Sequence, residues 1–183
     1  MARIDPVAAI GGVLVATSEV HADERGSFVE TYRREWFPDA RPMVQANLAR
    51  RRAGVVVGLH YHRHQADLWS VASGRARVVL HDLRRSSPTS GATVALDLGD
   101  AEGGDGDGRH LYIPPGVAHG FAAHSDLVLA YQVDRYHDPA DEMALAWDDP
   151  DVAADWGLDH PTVSRRDREA PRRADIPAAR WPR

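Results

Sequence analysis

The sequence contains no cysteine and no lysine among its 183 residues, and all 22 basic residues are arginine. The absence of cysteine excludes disulfides and thiolate metal sites and is consistent with a reducing compartment, so we expect a cytoplasmic protein. The absence of lysine excludes every lysine-based mechanism. No apolar run approaches the roughly 20 residues of a membrane span, and the N-terminus has no signal-peptide pattern.

Length and charge restrict the function further. A chain of this length fits one domain, residues 1–183, in which we expect the Arg/Pro-rich tail 164–183 to lie along the surface or on a second subunit. The net charge of −5 argues against a nucleic-acid binder, although it is compatible with a local basic pocket for a nucleotide diphosphate. The Gly/Asp-rich segment 99–108 predicts a solvated loop rather than a calcium loop.

Short β-rich runs separated by turn signals recur along the chain, and they predict an all-β sandwich or barrel. The runs cover residues 12–17, 26–32, 44–49, 55–61, 68–71, 76–82, 93–98, 110–113, 119–123 and 127–133. Helix is expected only near 34–37 and around the acidic segment 149–156, where Pro150 suits a helix start.

Within this β-rich pattern, four residues have spacings that suit one metal ion. His60 and His62 alternate with Tyr61, so in a strand both imidazoles lie on one face; Asp67 follows, and His119 comes after a Pro-x-Gly turn. Imidazole nitrogens with one carboxylate suit Fe, Mn, Ni or Zn as divalent ions and leave open positions for a substrate. We therefore predict His60, His62, Asp67 and His119 as candidate metal ligands.

The two motifs that carry these residues resemble those of the cupins. The first runs from Gly54 to Gly74 and the second from Gly108 through His119. Cupins usually have Glu at the position of Asp67 and Asn at that of Ala123. The resemblance implies a double-stranded β-helix, the cupin jelly roll, with short peripheral helices and the site inside the barrel.

A closer resemblance, over residues 14–175, is to the dTDP-4-dehydrorhamnose 3,5-epimerase family. The matching segments include Asp23 to Tyr32, Val44 to Asn47, Gly58 to Tyr61, Asp82 to Thr89, Ile113 to Phe121, Trp147 to Pro150 and Ser164 to Pro171. This resemblance implies that His60 removes a proton next to a ketone, that Asp167 orients His60, and that Tyr131 is the acid on the opposite sugar face. No cofactor is required for such an epimerase.

The same resemblance implies a set of residues that bind a nucleotide-linked keto sugar. Arginine suits a diphosphate because its planar fork donates two hydrogen bonds, and a tyrosine face can stack on a base. The implied residues are Arg25, Phe28, Glu30, Gln45, Asn47, His119 and Tyr136. Relatives of this kind form dimers that exchange an N-terminal strand, so we expect a homodimer.

Two departures from the family pattern lie in the expected active site. Val57 replaces an arginine that contacts phosphate, and Asp67 replaces a lysine that helps to stabilise the enolate oxygen. In a pocket of low dielectric constant, a carboxylate repels a developing oxyanion by about 3 kcal/mol. The ordinary mechanism therefore needs a compensating cation. His62, where the family has Gln, and Asp67 together restore cupin ligand positions.

Three functions follow from these residues. The first is an isomerase that acts on a dTDP-4-keto-6-deoxysugar or a similar natural-product intermediate. The second is a metal-dependent cupin of the oxygenase or cyclase type that reuses the epimerase scaffold on another substrate. The third is a non-catalytic binding cupin with Arg25, Phe28 and Gln45 in its pocket.

Overall fold

The computed structural model of the protein describes residues 2–99 and 107–182. Within these residues the chain forms short strands joined by turns. The strands are β1 (Arg3–Pro6), β2 (Leu14–Thr17), β3 (Val20–Asp23), β4 (Gly26–Val29), β5 (Gln45–Arg51), β6 (Val55–Tyr61), β7 (Asp67–Ser73), β8 (Arg75–Asp82), β9 (Thr93–Gly99), β10 (Arg109–Ile113), β11 (Val117–Ala123), β12 (Leu127–Val133), β13 (Met143–Ala144) and β14 (Thr162–Val163). The helical elements are α1 (Arg165–Arg168) and single 3-10 turns at Arg34–Trp36, Arg173–Asp175 and Ala178–Arg180.

The strands form two sheets that face each other. The first sheet has the order β1-β2-β10-β7-β12-β5, and the second has the order β13-β6-β11-β8-β9 with β14 added in parallel to β6. Strands β3 and β4 form a separate hairpin. This architecture confirms the predicted all-β jelly roll with short peripheral helices. No helix within the described residues is long and apolar enough to cross a membrane.

The main hydrophobic core lies between the sheets. Alternate residues of the long strands point inward, as the period of two along a strand requires. Trp69 and Leu129 come from the first sheet, and Val78, Leu80 and Phe121 come from the second. Trp69, Phe121 and Leu129 of this core also border a cavity between the sheets.

Most predicted strand positions agree with the structure, and two strands match to the residue: 55–61 and 127–133. The expected helix over 149–156 is wrong. That segment is a series of turns in which the Asp149 carboxylate accepts a hydrogen bond from the backbone N–H of Asp151 at 2.8 Å. Ala153 has a φ of 50°, which an α-helix does not allow. The predicted loop 99–108 lies largely outside the described residues.

The motif from Asp82 to Thr89 has a structural role. The fully buried Asp82 carboxylate accepts hydrogen bonds from Arg84, Ser87 and Thr89 at 2.7–2.9 Å. Burial alone would raise the pKa of Asp82, but these donors outweigh it and hold the pKa at about 2. The charged carboxylate therefore fixes the connection from β8 to β9.

The tail from residue 164 onward packs against its own chain. Ile176 is buried in a second apolar cluster, and the Trp181 indole donates a hydrogen bond to the Ile176 carbonyl at 3.0 Å. The guanidinium groups of Arg85 and Arg173 lie over the Trp181 ring at 4.5 and 5.4 Å. These contacts hold residues 173–181 against the rest of the chain.

A buried histidine in the first sheet gives the fold a pH dependence. The His110 ring lies between the hydroxyls of Ser18 and Ser70, each 2.8 Å from one ring nitrogen, and stacks on Trp36. Burial lowers the pKa of His110 to about 4, although the negative charge of Asp107 acts in the opposite direction. His110 is therefore neutral in the folded protein at neutral pH.

We expect the free energy of unfolding to fall as the pH decreases from about 6.5 to 4. An unfolded histidine titrates near 6.5, so the unfolded chain binds more protons in this window, and His110 alone contributes a loss of roughly 3 kcal/mol. Urea denaturation at pH 7, 6, 5 and 4 measures the loss. In a His110→Gln variant, which keeps a neutral polar group between the two serines, the decrease should be smaller by about that amount; an unchanged pH slope would contradict this assignment.

Candidate active site

A cavity of about 310 Å³ opens between the two sheets. Its walls come from β5, β7 and β12 on one side and from β6 and β11 on the other. The polar residues that line it are Gln45, Asn47, Arg51, His60, His62, Gln65, Asp67, His119, Tyr131, His137, Asp138, Glu142 and Arg166. Apolar walls with a few convergent polar groups are typical of a small-molecule site.

His60 is held by a buried carboxylate. Its Nε2 atom lies 2.8 Å from Oδ1 of Asp167, which reaches β6 from α1. Burial acts to raise the pKa of Asp167, but the hydrogen bonds from His60, Ser164 and the Gly58 N–H hold it below its usual value. Because the charged carboxylate only accepts, Nε2 carries the proton, and neutral His60 has its lone pair on Nδ1.

Tyr131 lies on the opposite wall from His60. It belongs to β12, where its register partners are Asn47 on β5 and Trp69 on β7. Burial raises the pKa of Tyr131, and the nearby carboxylates of Asp67 and Glu142 raise it further. The phenol therefore stays protonated at neutral pH and can act as a proton donor.

Three of the four predicted metal ligands lie together in the cavity. One side-chain atom from each of His62, Asp67 and His119 falls within 4.8 Å of the other two. His60 is not part of this group, and its Nε2 lies against Asp167. The structure thus separates the predicted four-residue set into a histidine–aspartate pair and a three-residue cluster.

The Asp67 carboxylate is 3% exposed, and among the described residues it has no cationic partner. It accepts long hydrogen bonds from the Gln65 amide at 3.3 Å and from the Trp69 indole at 3.4 Å. His119 is 5% exposed, and burial lowers its pKa to about 4, with Asp67 acting in the opposite direction. His119 is therefore neutral at pH 7.

Two arginines line the cavity beside Val57 and His60. Arg51 ends β5, and Arg166 belongs to α1 and pairs with Glu142. Burial acts to raise the pKa of Glu142, but the hydrogen bond and charge of Arg166 hold it below its usual value. These guanidinium groups supply positive charge next to Val57, the position at which the family has an arginine.

Other predicted binding residues do not reach this cavity within one chain. Arg25, Phe28 and Glu30 lie on or next to the hairpin of β3 and β4, where Phe28 is 70% exposed and Arg25 pairs with Asp23. Tyr136 follows β12 and is 74% exposed. Gln45 and Asn47 do line the cavity, and their side chains hydrogen-bond to each other at 3.0 Å.

Three further residues of the site were not predicted from the sequence: Arg51, Glu142 and Arg166. The signal for Arg51 is present in the sequence, because residues 45, 47, 49 and 51 alternate along β5 and share one face of the strand. Glu142 and Arg166 carry no such signal. Their places depend on how residues 134–142 and α1 fold across the open end of the barrel.

Comparisons with known proteins agree with this architecture. The family model for dTDP-4-dehydrorhamnose 3,5-epimerase matches residues 7–175. The dTDP-4-dehydrorhamnose 3,5-epimerase of Pseudomonas aeruginosa is 37% identical over 175 residues, which cover 91% of this chain and 94% of that protein.

Several solved structures are similar over the whole chain, among them two epimerases. The epimerase RmlC from Legionella pneumophila, in complex with dTDP-4-keto-L-rhamnose, has a TM-score of 0.90 at 32% identity and covers 100% of this chain and 98% of that one. NovW from Streptomyces spheroides, a 4-keto-6-deoxy sugar epimerase from the novobiocin biosynthetic gene cluster, has a TM-score of 0.89 at 34% identity and covers 100% and 93%. The chain therefore belongs to the dTDP-4-dehydrorhamnose 3,5-epimerase family and is an enzyme of the isomerase class.

Proposed function

We propose that this protein epimerises a dTDP-4-keto-6-deoxysugar, or a closely similar natural-product intermediate, by proton transfer next to the ketone. The observation that carries the proposal is the pairing of His60 with the buried Asp167 beside a cavity that has Tyr131 on its other wall. A base and an acid on opposite sides of a planar enolate are what inversion of a carbon centre needs.

The proposed mechanism gives each residue one step. His60 takes the proton from the carbon next to the ketone through Nδ1, and Asp167 holds the ring in that tautomer and stabilises the imidazolium that forms. Tyr131 then donates a proton to the opposite face of the enolate. Since the proton that leaves and the proton that arrives are on different faces, the configuration at that carbon inverts.

Nucleotide binding is the second part of the proposal. Gln45 and Asn47 line the cavity and suit the polar parts of a nucleotide, while Arg51 and Arg166 suit its diphosphate. His119 lines the same cavity from the wall formed by β11. We also propose a single domain over residues 1–183, located in the cytoplasm.

The experiment that tests this function is incubation with a dTDP-4-keto-6-deoxyhexose followed by proton NMR of the sugar ring. Inversion changes the coupling constants of the proton on the carbon next to the ketone. A nucleotide sugar whose couplings stay unchanged at high enzyme concentration, across several such hexoses, would contradict the proposal.

We further propose that the protein is a homodimer in which the hairpin of β3 and β4 reaches the cavity of the partner. This arrangement gives Arg25, Phe28 and Glu30 a role that they do not have within one chain, and it covers the exposed Phe28 ring. Sedimentation velocity is expected to give twice the mass of one chain. A mass of one chain at every protein concentration would contradict it.

The metal-dependent alternative, an oxygenase or cyclase on the same scaffold, receives no support from the similar proteins, which are epimerases. A ligand role for His60 is also not favoured, because His60 lies outside the cluster of His62, Asp67 and His119 and pairs with Asp167. The cluster of His62, Asp67 and His119 does not include His60 and so does not affect the role of His60 as the base.

A further inference from the structure

The cluster of His62, Asp67 and His119 brings one potential ligand atom from each residue within 4.8 Å of the other two. The Nδ1 atom of His62 lies 2.8 Å from the Asp141 carbonyl oxygen, and that of His119 lies 2.9 Å from the Val117 carbonyl oxygen. A carbonyl oxygen only accepts, so both Nδ1 atoms carry the proton. In the neutral imidazoles the lone pairs are then on the two Nε2 atoms.

In the described part of the chain, the Asp67 carboxylate accepts only long hydrogen bonds from neutral groups, the Gln65 amide and the Trp69 indole. Among residues 2–99 and 107–182, no group donates a hydrogen bond to either Nε2 atom, and no arginine pairs with Asp67. A charged carboxylate that is buried without a cation is unfavourable, and two neutral lone pairs beside it add no compensation. The cluster therefore lacks a positive group.

From this geometry we propose that His62, Asp67 and His119 bind one divalent first-row transition-metal ion. Two imidazoles and one carboxylate form a facial set of three that leaves further coordination positions open toward the cavity. At about 2.1 Å from each ligand atom, a tetrahedral ion needs separations near 3.4 Å, so each side chain moves inward by less than about 1 Å.

The groups around the three ligands are those that orient a metal site. Backbone carbonyls of Asp141 and Val117 fix the imidazole tautomers, and Gln65 with Trp69 holds the carboxylate. Such outer partners fix ligand orientation in metal sites. The Asp141 carboxylate accepts hydrogen bonds from the N–H groups of residues 63 and 64, which fixes the turn that directs His62 into the cavity.

This site leaves the proposed base free. His60 remains with Asp167, so a metal-binding cluster and an acid–base pair exist side by side in one cavity. The ion also offsets the negative charge of Asp67, which would otherwise oppose an enolate. The inference goes beyond the proposed function, because metal binding by the three residues does not depend on which reaction occurs.

The test is titration of the chelator-treated protein with Co²⁺ alone, followed by visible absorption and by metal analysis after dialysis. We expect one equivalent of Co²⁺ with ligand-field bands, and displacement by Zn²⁺. His62→Gln and Asp67→Asn should each weaken binding by about 100-fold or more, since the loss of an orienting partner alone costs 10–100-fold.

Two further variants make the result specific. His64→Gln, which alters an exposed histidine near the cluster, should leave Co²⁺ affinity unchanged. His60→Asn should also keep the ion, because His60 is outside the ligand set. Binding below about a tenth of an equivalent, equal binding by Asp67→Asn, or loss of the ion in His60→Asn would each overturn the proposal. None of these outcomes depends on sugar turnover.

Discussion

Replacing His60 by asparagine is expected to lower the rate of proton exchange next to the ketone by about 10³-fold or more, because a positioned general base contributes 10² to 10⁴. Asparagine keeps a polar group that can hydrogen-bond to Asp167, so the fold should be retained. Deuterium incorporation into a dTDP-4-keto-6-deoxyhexose, measured against the unchanged protein, gives the rate.

Two further variants separate the base from its surroundings. Asp167→Asn should also lower the rate strongly, since the amide no longer enforces the tautomer with the lone pair on Nδ1. His64→Asn removes an exposed histidine that makes no contact with the cavity and should exchange at the normal rate. If His60→Asn and His64→Asn behave alike, His60 is not the base.

Replacing Tyr131 by phenylalanine is expected to separate exchange from inversion. His60 can still remove and return a proton on its own face, so deuterium should continue to enter the substrate. Without the phenol, no acid remains on the opposite wall, and the yield of inverted sugar should fall by about 10²-fold. NMR of the product, run together with the exchange assay, measures both quantities in one sample.

A matched variant checks that the effect belongs to the cavity. Tyr112 is also buried, but it packs against Phe37 at 4.9 Å in a separate apolar cluster. Tyr112→Phe should therefore leave both exchange and inversion near normal. Parallel loss of exchange and inversion in Tyr131→Phe would contradict the role of Tyr131 as the second acid, because it would indicate a general loss of binding.

Strand positions were predictable because turn residues separate them and because inward residues alternate with outward ones. β6 and β12 were obtained to the residue for this reason. β1 and β3 carry weaker signals: each has only four residues, and β3 is exposed along its whole length. A strand shows alternating apolar and polar residues because one of its faces is buried. A strand with little burial therefore has no clear alternation in its sequence.

The expected helix over 149–156 shows where local patterns fail. Pro150 and the acidic residues suit a helix start, but the Asp149 carboxylate accepts hydrogen bonds from the backbone N–H groups of Asp151 and Arg173. The second of these bonds comes from the tail, 24 residues further along. A contact of that range cannot be read from a short window, and here it outweighs helix propensity.

The candidate site was predictable in its residues but not in its grouping. His60, His62, Asp67 and His119 all lie near the cavity, as their spacing and strand alternation indicate. The separation of His60 from the other three depends on Asp167, which reaches His60 from α1 more than one hundred positions later. Which partner a histidine ring nitrogen meets depends on the tertiary structure. That partner decides whether the histidine is placed to act as a base or as a metal ligand.

The central claim is that His60, held by Asp167, removes a proton next to a ketone. The most direct measurement is mass spectrometry of a dTDP-4-keto-6-deoxyhexose after incubation with the protein in D₂O. We predict a mass increase of one unit for each carbon that exchanges, and no increase above background with His60→Asn. An unlabelled sugar after prolonged incubation, or equal labelling by His60→Asn, would contradict the claim.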